Sequence, residues 1–249
     1  MNLAQSYQAA PNELKDKVIL ITGAGDGIGA VAAKTYANYG ATVILLGRTV
    51  SKLEKVYDEI AQQGNPQAAI YPFDFEGAKL ENYEQLASTI DSEFGALHGL
   101  LHNAAILGST TPISQFNPEL WNKVMHINLN AAFLLTQACL PVLRKADAAS
   151  IIFTSSGVGS QGAAYWGAYA ASKAANINLM QVLSDELSEN TNVKVNAIDP
   201  GVVRTAMRAR AFPGEDPQTL PLADTIMPSY LYLMASQKST ITGELIKAQ

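Results

Sequence analysis

The feature that most constrains the fold lies near the N-terminus, where a strand pattern passes through a glycine-rich loop into a helix pattern. Residues 17–21 include an apolar run typical of a buried strand. Residues 22–29 contain four glycines, and residues 28–39 then place apolar side chains at helical spacing before Gly40. A strand, a tight glycine turn and a helix in this order are typical of α/β folds whose strands run parallel.

Strand and helix patterns continue to alternate along the chain. After a polar lead-in over residues 1–13, further strands are predicted at 42–46, 68–73, 97–102, 150–154, 193–198 and 244–247, and further helices at 51–63, 80–94, 117–145 and 165–190. No internal repeat or low-complexity linker divides them. We therefore predict one α/β domain over residues 1–249, a Rossmann-like doubly wound parallel sheet flanked by helices.

Composition argues against several classes of protein. The chain has 249 residues, 48% of them hydrophobic and 16% charged, which is enough to bury a substantial core. A net charge of −5 and the lack of a basic run argue against binding to nucleic acid. The first residues carry no basic region, and no segment approaches about 18 uninterrupted apolar residues. We therefore expect a soluble cytoplasmic protein with no membrane partner, and we expect its single cysteine, Cys139, to pack in the core.

Tyr169 and Lys173 are four residues apart in a predicted helix, a spacing that puts both side chains on one face. A free tyrosine titrates near about 10, and a nearby positive charge favours the phenolate and lowers that pKa. A tyrosine with a lowered pKa can serve as an acid/base catalyst. Taken alone, however, such a pair is more often a surface contact of small energy, so the hypothesis depends on its surroundings.

Two further patterns surround this pair. Ser156 follows an apolar run over residues 151–153 and precedes Gly157, as at the end of a buried strand. Because open parallel sheets bind ligands beyond such carboxyl ends, we predict that Ser156 is catalytic and that Ser155 serves a turn. The glycines of residues 22–29 allow the backbone to approach a pyrophosphate, which the following helix N-terminus attracts with its free N–H groups.

Five motifs lie in the order and spacing of one enzyme family. They are Thr-Gly-x-x-x-Gly-Ile-Gly at residues 22–29, Asn103-Ala104-Ala105, Asn128, Ser156 and Tyr169-x-x-x-Lys173. Together they resemble the short-chain dehydrogenase/reductase family. Within it, residues 43–48, 166–169 and 205–209 are similar to the YciK-type oxidoreductases. The resemblance implies hydride transfer between a nicotinamide cofactor and a small-molecule carbonyl or alcohol substrate.

The resemblance also implies a role for each catalytic residue. Tyr169 gives or takes the proton on the substrate oxygen, and Ser156 positions that oxygen. Lys173 lowers the pKa of the tyrosine and contacts the nicotinamide ribose. Asn128 completes a proton relay to the lysine, although Asn130 is an alternative by sequence alone.

Implied cofactor contacts are spread along the chain. The glycine loop holds the phosphates, Asp74 the adenine ring, and the Val203 backbone and Thr205 hydroxyl the nicotinamide carboxamide. Ala105 stands where relatives have glycine and requires slightly more room. The implied cofactor-binding residues are Gly23, Gly25, Asp26, Gly27, Ile28, Gly29, Arg48, Thr49, Asp74, Asn103, Ala104, Tyr169, Lys173, Pro200, Gly201, Val203 and Thr205.

The choice of cofactor depends on the end of the second strand, where an acidic residue would bind the ribose hydroxyls of NAD and repel the extra phosphate of NADP. Gly47 occupies that place, and Arg48 and Thr49 offer a guanidinium and a hydroxyl to a 2′-phosphate. We therefore predict NADP(H). NAD is the alternative, because Asp26 stands where several NADP-preferring relatives carry a basic residue. An NAD-dependent alcohol dehydrogenase and a cofactor-sensing protein with little catalysis both stay open.

The identity of the substrate does not follow from these motifs. Residues 206–222 match the variable flap that covers substrate in relatives, and their cationic and apolar side chains suit an acidic or an apolar ligand. Trp166 and Leu107 are candidates for the same pocket. The histidines lack metal-ligand spacing, so no metal is predicted. The resemblance implies a homo-oligomer, a dimer or tetramer, paired through the helices at 117–145 and 165–190.

Overall fold

The computed structural model describes residues 4–235 and 239–249, so the first three residues of the predicted lead-in lie outside it. Within the described residues, seven strands pair in parallel in the order β3-β2-β1-β4-β5-β6-β7. They are β1 (Val18–Thr22), β2 (Thr42–Gly47), β3 (Ala69–Pro72), β4 (Gly99–His102), β5 (Ala149–Thr154), β6 (Val193–Asp199) and β7 (Leu245–Lys247). The order reverses between β1 and β4, as in a doubly wound sheet. The predicted fold class is confirmed, and a single domain over the whole chain stays a prediction.

Helices flank the sheet. In the described residues they are α1 (Gly27–Asn38), α2 (Val50–Gln62), α3 (Leu80–Phe94), α4 (Pro118–Met125), α5 (Ala131–Leu143), α6 (Gly157–Ser160), α7 (Gly167–Ser188), α8 (Ala206–Ala211) and α9 (Met227–Met234). The observed α2, α3 and α7 lie within two residues of the predicted bounds. Helices α6, α8 and α9 are absent from the sequence prediction. The first two are too short to show a helical period, and α9 is buried on nearly every side, so it has no polar face.

The helix predicted at 117–145 is interrupted in the structure. A π-helical turn, His126–Asn130, joins α4 to α5, and the N–H of Ala131 donates to the carbonyl of His126. A π turn inserts one residue into the helix and shifts the side chains that follow, which sequence periodicity does not reveal. Asn128 lies within this turn.

Both faces of the central strands are buried, which explains their continuous apolar sequences. Ile19 and Ile21 of β1 face a core formed with α1, α2 and α9, where Tyr36 is fully buried. Leu20 faces the opposite core, formed with α3, α5 and α7, where Leu135 is fully buried. The sheet therefore presents its carboxyl ends, rather than its faces, to a ligand.

The helical stretch Pro118–Leu143 is long and apolar enough, by length and composition alone, to cross a membrane. Its residues Leu135, Cys139 and Leu143 are fully buried in the core against α3 and α7, and this burial accounts for its apolar composition. The predicted core position of Cys139 is confirmed. Burial raises the pKa of its thiol to about 12, so this cysteine is held as a neutral thiol.

Candidate active site

A cleft of about 400 Å³ opens at the carboxyl edge of the sheet. Its lining includes residues that follow six strands: Gly23 after β1, Arg48 after β2, Asp74 after β3, Asn103 after β4, Ser156 after β5 and Pro200 after β6. This is where open parallel sheets bind ligands. The structure brings every predicted catalytic and cofactor-binding residue to this lining except Gly29 and Asn128.

The glycine loop between β1 and α1 is closely packed. Gly23 has a φ of +67°, in the left-handed region that favours glycine. A Cβ atom on Gly29 would lie 2.3 Å from the carbonyl oxygen of Gly23. The first turn of α1 therefore approaches the backbone of the loop so closely that position 29 requires glycine. The Thr22 hydroxyl oxygen accepts the N–H groups of Asn103 and Ala104 at 2.9 and 3.0 Å. The segment after β4 is therefore fixed against the loop.

Asp26 lies in the glycine loop and has two partners. Its Oδ1 accepts the N–H of Gly27 at 2.8 Å, which caps α1. Its Oδ2 lies 2.5 Å from Nζ of Lys52, and this hydrogen bond is the main reason that the pKa of the Asp26 carboxyl is lowered. The sequence analysis does not name Lys52, although it lies in the first turn of α2, four residues after Arg48, and lines the cleft.

Tyr169 and Lys173 lie on the first turns of α7, with both side chains buried. Burial raises the pKa of Tyr169 to about 12, with the Asp199 carboxylate adding to this effect and a hydrogen bond with Ser156 opposing it. Nζ of Lys173 donates to the Thr154 carbonyl at 2.7 Å and lies 5.6 Å from the centre of the Tyr169 ring. The predicted lowering of the tyrosine pKa by Lys173 is therefore wrong for this structure, because burial of the phenol dominates and Lys173 is not among the groups that shift it.

Burial acts on Lys173 as well, lowering its pKa to about 8. Lys173→Met should therefore remove a pH-dependent part of stability. Between pH 8 and the ordinary lysine value of 10.5, the unfolded chain binds a proton that the folded chain has lost. The wild-type free energy of unfolding should then rise relative to that of the variant, by about 2 kcal/mol from about pH 8 to about 9.5.

Chemical denaturation of both proteins across this pH range measures the difference. Lys55→Met, at an exposed position of α2, is the control and should follow the wild type. A constant difference between the wild type and Lys173→Met over the whole range would contradict the prediction.

Asn128 holds neighbouring segments together. Its Oδ1 accepts the N–H of Ile106 at 2.8 Å, and its Nδ2 donates to the Ile106 carbonyl at 3.0 Å and to the Ser172 hydroxyl at 3.1 Å. Its own carbonyl accepts Nδ2 of Asn176 at 2.9 Å. Asn130, the alternative by sequence, is exposed. The π turn therefore places Asn128 beside α7 and directs Asn130 to solvent.

The first part of the predicted flap lines the cleft, through Ala206, Met207, Arg208, Arg210 and Ala211. Arg208 of α8 makes a bidentate ion pair with Glu215, with nitrogen–oxygen distances of 2.6 and 2.7 Å, and stacks 3.7 Å above the Phe212 ring. Trp166 packs between Tyr169 and Phe212, with ring centres 5.8 Å apart on each side. Trp166 and Leu107 line the cleft as predicted. Because Arg208 is already paired with Glu215, its charge is partly compensated where it lines the cleft.

The three histidines are apart from one another and each has a structural partner. His98 accepts the N–H of Val18 at 3.1 Å, and His126 lies 3.0 Å from the Phe75 carbonyl. His102 contacts the Thr136 hydroxyl at 2.7 Å, and burial lowers its pKa to about 3. Among residues 4–235 and 239–249, no group of three or more His, Cys, Asp or Glu side chains is arranged to hold a metal ion.

The fold and the cleft together define a class of enzyme. The family model described as short chain dehydrogenase matches residues 17–216, and the chain belongs to this family of oxidoreductases. It is 51% identical over 243 residues to the uncharacterized oxidoreductase YciK of Escherichia coli K12, covering 98% of this chain and 96% of the relative.

Two solved structures agree with this assignment. A short chain dehydrogenase of Pseudomonas syringae has a TM-score of 0.96 and 50% identity, covering 98% of this chain and 99% of the other. A short chain dehydrogenase of Shigella flexneri 2a, complexed with NADP, has a TM-score of 0.93 and 51% identity, covering 96% and 100%.

Proposed function

We propose that this protein is an NADP(H)-dependent oxidoreductase that transfers a hydride between nicotinamide and the carbon of a carbonyl or alcohol substrate, with Tyr169 as the acid/base group. One observation carries the proposal: a single cleft contains Ser156, Tyr169 and Lys173 together with a glycine loop and Arg48. The NADP complex of the Shigella flexneri relative supports this choice of cofactor.

The lining residues fit a dinucleotide. Gly27 and Ile28 bring the N-terminus of α1 to the cleft, where its N–H groups and positive dipole end attract a pyrophosphate. Arg48 and Thr49 line the cleft where no acidic side chain follows β2, which suits a 2′-phosphate. When bound, the cofactor supplies or accepts the hydride, while the residues of the chain bind it and move the proton.

Tyr169 is suited to donate a proton to a carbonyl oxygen. Because burial raises its pKa to about 12, the phenol keeps its proton at neutral pH until a stronger acceptor develops beside it. The Ser156 hydroxyl, hydrogen-bonded to this phenol, would hold the same substrate oxygen. A protonated phenol is the form that reduction of a carbonyl requires.

Lys173 and Asn128 would support this proton transfer. The Lys173 ammonium group uses one of its three N–H donors on the Thr154 carbonyl, so two remain for the ribose of the nicotinamide nucleotide. Asn128 would complete the proton relay to Lys173 through its hydrogen bond to Ser172, the residue next to that lysine.

The loop after β6 would bind the carboxamide of nicotinamide. The Thr205 hydroxyl oxygen accepts the N–H of Arg208 at 3.1 Å, which caps α8 and leaves its O–H to donate. Val203 lines the cleft and would contribute its backbone. Both contacts would fix which face of the ring meets the substrate.

Arg48→Glu tests the choice of cofactor. Replacing a guanidinium with a carboxylate at the 2′-phosphate position should weaken NADPH binding by about 100-fold while leaving NADH binding unchanged or tighter. Titration of the wild type and the variant with both cofactors in one buffer measures this. Wild-type binding of NADH at least as tight as that of NADPH would instead indicate an NAD-dependent alcohol dehydrogenase. Cofactor binding without turnover of any carbonyl or alcohol would indicate a cofactor sensor.

Homo-oligomer formation is part of the proposal, as a dimer or tetramer. Phe133 on α5 and Val182 on α7 are 45% and 46% exposed, so α5 and α7 each present an apolar side chain at the surface. Sedimentation equilibrium should therefore give a mass at least twice that of the 26.5 kDa chain. A single-chain mass at micromolar concentration would contradict this. A cytoplasmic location stays a prediction from the sequence.

A further inference from the structure

Asp26 places a negative charge in the loop that would approach the phosphates of a dinucleotide, and the structure shows how that charge is compensated. We propose that Lys52 is a second cationic ligand of the 2′-phosphate, beside Arg48, and that Asp26 holds Lys52 in place. This inference rests on the proposed NADP(H) function and assigns it a binding residue that the family motifs do not include.

The packing of Lys52 fixes where its side chain runs. A Cβ atom on Gly25 would lie 2.9 Å from Cβ of Lys52, so the first turn of α2 sits directly against the glycine loop. From there Nζ of Lys52 reaches Oδ2 of Asp26 at 2.5 Å. Arg48, Thr49 and Lys52 all line the cleft. The absence of a side chain at Gly25 is therefore what allows the lysine to lie across the loop.

The remaining donors of Lys52 are available to a ligand. An ammonium group has three N–H donors, and Asp26 accepts one of them. The Lys52 and Asp26 side chains are 54% and 57% exposed, so the pair is open to solvent and to a bound group. Asp26 also uses its other oxygen for the N–H of Gly27, which keeps the carboxylate, and with it the lysine, at the N-terminus of α1.

Charge favours a phosphate at this place. Arg48 and Lys52 carry two positive charges and Asp26 one negative charge, which leaves a net charge of +1 beside the end of β2. Arg210 of the flap also lines the cleft and acts electrostatically on Asp26. Without Lys52, the carboxylate would oppose a 2′-phosphate. With it, the loop can contain an acid and still bind the more highly charged cofactor.

The competing explanation is that Lys52 and Asp26 form a surface ion pair that contributes only to folding. Lys52→Gln separates the two explanations, and Lys55→Gln is the matched control. Lys55 is exposed on the same helix, three residues further on, and is not among the residues that line the cleft. Thermal unfolding of each variant shows whether the fold is retained.

Calorimetric titration with NADPH, NADH, adenosine 2′,5′-bisphosphate and AMP is the test. Lys52→Gln should weaken binding of the two 2′-phosphorylated ligands by about tenfold and change binding of NADH and AMP by less than about twofold. Lys55→Gln should change none of the four. Equal weakening of all ligands by Lys52→Gln, or of none, would overturn the role of Lys52.

The same titrations separate this inference from the proposed function. If the wild type prefers NADPH and Lys52→Gln keeps that preference, the role of Lys52 fails and the NADP(H) function stands. If the wild type does not distinguish the phosphorylated ligands from their counterparts, the NADP(H) function fails and the role of Lys52 fails with it.

Discussion

Replacing Tyr169 with phenylalanine is expected to lower kcat for carbonyl reduction by about a thousandfold or more while leaving NADPH affinity within about twofold of the wild type. The phenol is the titratable group that contacts Ser156 in the cleft. Its removal would leave only the Ser156 hydroxyl, a far weaker acid, at the proposed position of the substrate oxygen. The ring is retained, so its packing against Trp166 persists. Steady-state kinetics with NADPH and calorimetric titration measure the two effects.

Tyr165→Phe is the matched control for this experiment. Tyr165 lies four residues before Tyr169, is 58% exposed and is not among the residues that line the cleft. Its variant should keep wild-type kcat. Substantial activity in Tyr169→Phe would show that another group transfers the proton and would remove the proposed mechanism.

Gly29→Ala is expected to have the second large effect. The added Cβ would meet the Gly23 carbonyl oxygen at 2.3 Å and Nδ2 of Asn103 at 2.6 Å, and the first of these is backbone that cannot rotate away. The loop must therefore shift. We expect NADPH affinity to fall by about 100-fold and the free energy of unfolding to fall by about 1–3 kcal/mol.

Gly77→Ala provides the comparison for the glycine loop. Gly77 has ordinary backbone geometry, and no heavy atom lies within 4 Å of the position of its added Cβ. This variant should bind NADPH and unfold like the wild type. Wild-type cofactor binding by Gly29→Ala would mean that the close packing of the glycine loop does not shape the site.

Several parts of the site follow from local sequence. The strand, glycine loop and helix at residues 17–39 could be predicted because periodicity and glycine content act over a few neighbouring residues. The common face of Tyr169 and Lys173 follows from helical spacing alone. Ser156 could be placed at the cleft because the strand before it is a continuous apolar run that ends there.

Other parts depend on contacts between distant segments. Asp26 and Lys52 are brought together by the packing of the first turn of α2 against the glycine loop, and no spacing rule links them. Asn128 and Asn130 look equivalent in sequence, and the π turn separates them by directing one inward and one to solvent. The ion pair between Arg208 and Glu215 depends on the fold of the flap.

The sequence by itself determined the class of fold, the chain positions of the candidate catalytic residues and the glycine loop, because each depends on short-range periodicity or on residue type. The tertiary structure decided their electrostatic states. Tyr169 has a raised pKa and Lys173 a lowered one because both are buried, and the cost of burying a charge depends on every segment packed around it. Tertiary packing likewise placed Lys52 beside Asp26, since that contact exists only after α2 has docked on the glycine loop.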